Sequence, residues 1–211
     1  MSTPQPRKPT ADFVQKQIDE VRRNRQFARE REVLSKILER FPLNRNLEDV
    51  ILKTSLVNSI YSTRIFDVCK VGYHIVDQQI DSQLESKSPE VVERIARVTF
   101  DDGKKKYLYS FATKYCSWHK PNDYPRYDGY VSRLLISYQK RDDFDQFVSD
   151  DLKNYVRYKE IIGRFRDRYQ LTQFNFDELD QFLWAYGKAY EKELETKTRP
   201  KARKPNAKLT R

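Results

Sequence analysis

From residue 47 to residue 75 the apolar side chains recur three and four positions apart, at Leu47, Val50, Ile51, Val57, Tyr61, Ile65, Val68 and Ile75. That spacing places them on one face of a helix. No segment of the chain replaces it with sustained two-residue alternation, so a sheet-based fold has no sequence support. The same reading predicts a long charged helix over 12–40, with a thin stripe including Ile18, Val21, Ala28 and Leu38 and a stop at Phe41-Pro42. Asn46 is the expected N-cap of the helix that follows and runs to about residue 80. Asn58, Ser59, Ser62 and Thr63 fall in its middle, where they either face solvent or line a polar cavity. Ser88-Pro89 opens a helix over 89–100, and Asp101-Asp102-Gly103 makes a tight turn. A helix starting near 105–110 carries Leu108, Phe111, Tyr115 and Trp118; others run from Gly129, over Leu152–Tyr169, and from Asn175. The expected fold is all-α, with about seven helices.

A chain of 211 residues has room for one such domain, here 11–196, with a core large enough to enclose a pocket. Five glycines, with no glycine-rich phosphate loop and no nucleophile elbow, remove the usual nucleotide and serine-hydrolase signatures. No apolar run is long enough to span a bilayer, and MSTPQPRKPT lacks a signal-peptide core, which predicts no membrane and a cytoplasmic location. Two cysteines give no disulfide framework. Cys116 and His119 are helix neighbours, but Cys69 and His74 point about 140° apart on a helix, so the pattern predicts no metal. The net charge is +10, yet residues 197–211 hold seven basic side chains and no acid, and Arg7 and Lys8 add two more. The body is therefore nearly neutral. Residues 1–10 and the tail both read as disordered, the tail as a salt-sensitive attraction for a polyanion or as a solubilising terminus.

The stretch FATKYCSWHKPNDYPRYDGYV, residues 111–131, concentrates the chemistry. Lys114 sits at the margin of the aromatic stripe, one turn before Trp118. An amine shielded there loses basicity and becomes a nucleophile, whereas a lysine whose stem lies on Trp118 and whose head reaches water stays an ordinary cation. Asp128 directly precedes the Gly129 helix, so it is either a cap or a carboxylate delivered to a site by the stiff loop of Pro121 and Pro125.

The order of the parts is a helix bearing Thr113-Lys114, a proline loop, and then Tyr124-Pro125-Arg126-Tyr127-Asp128 at the head of the next helix. It resembles the catalytic segment of the helix-hairpin-helix DNA glycosylase superfamily, particularly its 8-oxoguanine glycosylase-like branch. The resemblance implies a cleft between two helical lobes that receives a base flipped out of double-stranded DNA, with Lys114 as Schiff-base nucleophile and Asp128 stabilising charge on the sugar. It further implies positioning or base contact by Trp118, His119 and Tyr127, and a stacking wall from Trp184 and Phe182. Asn58 is the candidate contact from the preceding helices. No cofactor is implied, and the expected state is a monomer. The base is an oxidised purine or a bulky modified pyrimidine, in repair or in defence against modified phage DNA. The alternative reading is a non-catalytic helical nucleic-acid-binding protein that holds phosphates with Arg164, Arg166, Arg168 and both tails.

Overall fold

A computed structural model describes residues 4–198, which form ten α-helices and one short β-hairpin. Helices dominate as the periodicity predicts, but three of the expected helices are divided. The segment 12–40 is α1, Ala11–Arg22, and α2, Arg25–Arg40, because the Asn24 side chain accepts the N–H groups of Gln26 and Phe27 and starts a new helix. The segment 47–80 is α3, Leu47–Tyr61, and α4, Val68–Asp77. Ser62 adopts a left-handed φ of 49° that ends α3, and Asp67 caps α4. The short helix α5, Asp81–Glu85, follows.

Helix α6 is Glu90–Ala96, and the expected end of that helix is instead strand β1, Arg97–Thr99, paired antiparallel with β2, Lys105–Tyr107. Three-residue strands are too short to show alternation in a sequence. Gly103, at φ 76°, turns the hairpin. Then come α7, Tyr109–His119; α8, Gly129–Asp142; a 3₁₀ turn, Asp151–Lys153; α9, Tyr155–Arg168; and α10, Phe176–Thr198.

Helix α10 organises the core by packing on both α1 and α8. A Cβ on Gly187 would lie 2.9 Å from the Tyr130 carbonyl oxygen, so glycine sets how closely α10 approaches α8. The chain before α1 does not match the expected disorder. From residue 4 it is tied down: Tyr190 and Tyr138 donate to the carbonyls of Pro4 and Arg7 at 2.7 and 2.6 Å, and Arg7 N–H donates to Tyr186 Oη at 2.5 Å. Residues 1–3 lie outside the described residues, as does the basic tail beyond Thr198; Lys197 belongs to the last turn of α10. No helix among the described residues is long and apolar enough to cross a membrane.

Candidate functional site

A cleft of about 270 Å³ opens among five helices. Helix α2 contributes Phe27, Glu30 and Arg31, the end of α3 contributes Tyr61 and Ser62, and α7 contributes Lys114 and Trp118. Arg126 and Asp128 enter from the proline loop, and Asp180, Gln181 and Trp184 from α10. Four of the residues singled out from sequence, Lys114, Asp128, Trp118 and Trp184, thus line one cavity although they span 71 positions of chain.

Lys114 is 4% exposed. Its Nζ donates to Ser110 Oγ at 2.6 Å and to the Tyr127 carbonyl at 2.8 Å, with a longer contact of 3.4 Å to the Ser110 carbonyl. Burial pulls its pKa down to about 8, opposed by Asp128 and Asp180 and reinforced by Arg126. Two of these acceptors are close and the third is long, so the amine's third position is the most weakly held. Of the two alternatives for this lysine, the head in water is not the one found: Nζ is inside, 5.6 Å from the centre of the Tyr61 ring. Asp128 divides its two roles between its oxygens. Oδ1 caps α8 by accepting the Tyr130 N–H at 2.8 Å, and Oδ2 lies 3.9 Å from the Lys114 amine.

Behind this pair is a buried ionic cluster that the sequence reading missed. Arg31 from α2 binds Asp177 through both terminal nitrogens, at 2.9 and 2.8 Å. Arg126 reaches Asp177 at 2.7 Å and Asp180 at 3.2 Å. Burial alone would raise the Asp177 carboxyl, but Arg126 and Arg31 hold it below the usual range. Bidentate pairing of this kind fixes α2, the proline loop and α10 relative to one another. A signal for it exists in the sequence. Asp177, Asp180, Gln181 and Trp184 fall three, four and seven apart, a polar stripe on a helix whose neighbours Leu179, Phe182 and Leu183 are core.

The aromatic walls are held as well. Trp118 donates from Nε1 to Tyr61 Oη at 2.8 Å and has the Arg31 guanidinium 5.3 Å from its ring. Trp184 is 38% exposed at the mouth.

Four sequence candidates are elsewhere. Phe182 is fully buried, edge-on to Phe13 and stacked on Tyr186, so it is core. His119 faces a separate small void beside Leu34 and Lys53; burial, with Lys53 and Lys120, lowers its pKa to about 3, so its ring is neutral there. Tyr127 serves through its carbonyl, while its ring packs on Tyr109 and Tyr158. Asn58 binds no cavity: its amide donates to the Ile65 carbonyl and accepts from Ile65 N–H and Thr63 Oγ1, clamping the loop between α3 and α4. Arg164, proposed for phosphates, is paired with Asp145.

Comparison with known proteins adds three findings. The family model HI_0787_N, described as an N-terminal domain, matches residues 13–123. An uncharacterized protein of Haemophilus influenzae is 42% identical over 143 residues, covering 67% of this chain and 68% of that protein. No solved structure matches.

Proposed function

This chain belongs to the HI_0787_N family, and we propose that it is a DNA glycosylase with Schiff-base lyase activity. It excises a damaged or modified base flipped out of duplex DNA. The observation that carries the proposal is the buried, weakly basic amine of Lys114 beside Asp128, in a cleft walled by Trp118, Tyr61, Phe27 and Trp184. The family model covers the segment that holds Lys114 and ends before Asp128.

In this reading the helix-hairpin-helix architecture supplies two helical lobes around the cleft. The extruded base sits against the aromatic walls. Lys114 Nζ attacks C1′ as the N-glycosidic bond breaks; the bonding pair leaves with the base, which is then protonated. Asp128 stabilises positive charge on the sugar and takes the proton that the attacking amine sheds. The proton held by Asp128 passes to O4′ as the C1′–O4′ bond opens to give the imine, and loss of a C2′ proton with expulsion of the 3′ phosphate cleaves the strand.

Borohydride reduction in the presence of duplexes carrying a panel of oxidised purines and bulky modified pyrimidines is the test. Wild type is expected to become covalently attached to one of them, and Lys114→Gln to bind that duplex without crosslinking. Asp128→Asn, which keeps the cap, is expected to slow base release by about a hundredfold or more. A crosslink that persists in Lys114→Gln assigns the nucleophile elsewhere. Binding without any crosslink by wild type across the panel leaves the non-catalytic reading standing.

A further inference from the structure

We propose that Ser110 is the positioning residue of the Lys114 amine: its hydroxyl accepts a hydrogen bond from the ammonium and turns to donate one to the neutral amine, holding the nitrogen at the cleft in both states. The inference rests on Lys114 being the reacting amine of the proposed function.

Ser110 and Lys114 stand four apart on α7, and a helical side chain runs back toward the helix N-terminus, so the amine arrives over the residue one turn earlier. Contact follows. Nζ lies 2.6 Å from Ser110 Oγ, closer than to the Tyr127 carbonyl at 2.8 Å or the Ser110 carbonyl at 3.4 Å. A carbonyl only accepts, so each of those two bonds needs an N–H from the nitrogen, whereas a hydroxyl both accepts and donates. As the nitrogen passes from three hydrogens to two, Ser110 alone among these partners can reverse its bond instead of losing it. Its proton is free to turn, because its other acceptor, the Tyr127 carbonyl, is a long 3.4 Å away. The frame around it is fixed. Thr113 Oγ1 accepts the Tyr127 N–H at 3.1 Å and donates to the Ser110 carbonyl at 3.1 Å, so α7 grips both backbone groups of Tyr127.

The charged and titratable groups facing the amine are Arg126 and Asp128 from the loop, Asp180 from α10, Tyr61 from α3, and Glu30 and Arg31 from α2 across the cleft. Asp128 Oδ2, at 3.9 Å, is beyond hydrogen-bond reach, so the carboxylate acts on the amine through space while the hydroxyl touches it. A bond from an ammonium to an oxygen is stronger than one from a hydroxyl to a neutral amine. Loss of Oγ therefore penalises the ammonium more than the amine and lowers the pH at which Lys114 gives up its proton. It also leaves the neutral amine less well held, which slows attack. One missing oxygen thus moves the titration midpoint and the rate plateau separately.

Trace acetylation of the full chain by acetic anhydride between pH 6 and 10, read by mass spectrometry on the Lys114 peptide, gives that midpoint without DNA. Wild type is expected near pH 8, and Ser110→Ala lower by up to about one unit. In single-turnover borohydride trapping on a duplex that wild type attacks, Ser110→Ala is expected to plateau about tenfold lower. Ser110→Thr, which keeps a hydroxyl, is expected to follow wild type in both measurements. A serine that only builds the helix would change stability and leave both profiles in place. The proposal is overturned by a Ser110→Ala midpoint equal to or above that of wild type, by an unchanged trapping plateau, by Ser110→Thr behaving as Ser110→Ala does, or by a Lys114 that stays unlabelled at pH 10. If Ser110→Ala does not fold, Ser110→Val, the isostere of Ser110→Thr without its hydroxyl, takes its place. A wild type that traps no duplex counts against the glycosylase reading alone, because the acetylation midpoints still judge the serine.

Discussion

Lys53 and Lys114 are both buried and both have their pKa lowered to about 8, yet their surroundings differ. Lys53 Nζ donates to the Phe41 and Leu43 carbonyls and to Asn44 Oδ1, at 3.1, 2.7 and 2.6 Å, which uses all three N–H bonds of an ammonium to bind the loop before α3. Lys114 has two close acceptors and a cavity. The closeness of the third acceptor and the presence of a cavity distinguish the two sites, and the proposed nucleophile is the lysine that faces the cavity. A stability measurement exposes the Lys114 amine directly. Its folded-state pKa lies below the unfolded value near 10.4, so between about pH 8 and 10.4 the unfolded chain holds more protons and stability rises with pH. Across that window wild type is expected to gain about 3 kcal/mol relative to Lys114→Met, read from denaturant unfolding. A difference that stays constant with pH would mean the amine keeps ordinary basicity in the fold. Trapping rates should likewise climb as pH rises toward 8, where the neutral amine becomes abundant.

At the scale of elements, spacing revealed that helices dominate but not where they stop. The breaks at Asn24 and Ser62 each occupy only a few residues, and the apolar rhythm on either side hides them. Lys114, Trp118 and Asp128 were legible because a helix, a stiff loop and a cap are local features that leave local patterns. Asp177 and Asp180 were not, since their meaning comes from Arg31 and Arg126, which lie 146 and 51 to 54 positions away. Asn58 failed for a related reason: an amide that clamps a loop has the same signature as one that greets a ligand. The α8–α10 contact yields a prediction of its own. In an exposed helix Gly→Ala gains up to about 1 kcal/mol. At Gly187 the new methyl meets the unyielding backbone of Tyr130, so Gly187→Ala is expected to lose about 1–3 kcal/mol by urea denaturation. Because Tyr130 N–H is the partner of Asp128 Oδ1, trapping is expected to weaken with it.

For the whole molecule, charge is distributed unevenly between body and tail. Deleting 199–211 removes six basic side chains and no acid while leaving α10 as described. DNA binding is expected to weaken and its salt dependence to flatten, with single-turnover trapping on saturating substrate unchanged; equal affinity and salt slope in both forms would make the tail a bystander. The cleft itself joins distant parts of the chain. Arg31 meets Asp177 across 146 positions, and away from the cleft Arg7 meets Tyr186 across 179. Such contacts form late, because long loops must close before they contribute. As the chain leaves the ribosome N-terminus first, α7 and its lysine emerge well before α10. Until α10 docks, the cleft around that amine lacks Asp180, Gln181 and Trp184. In the proposed reading the wall around Lys114 is therefore complete only in the finished fold, once α10 has added its share of the cleft.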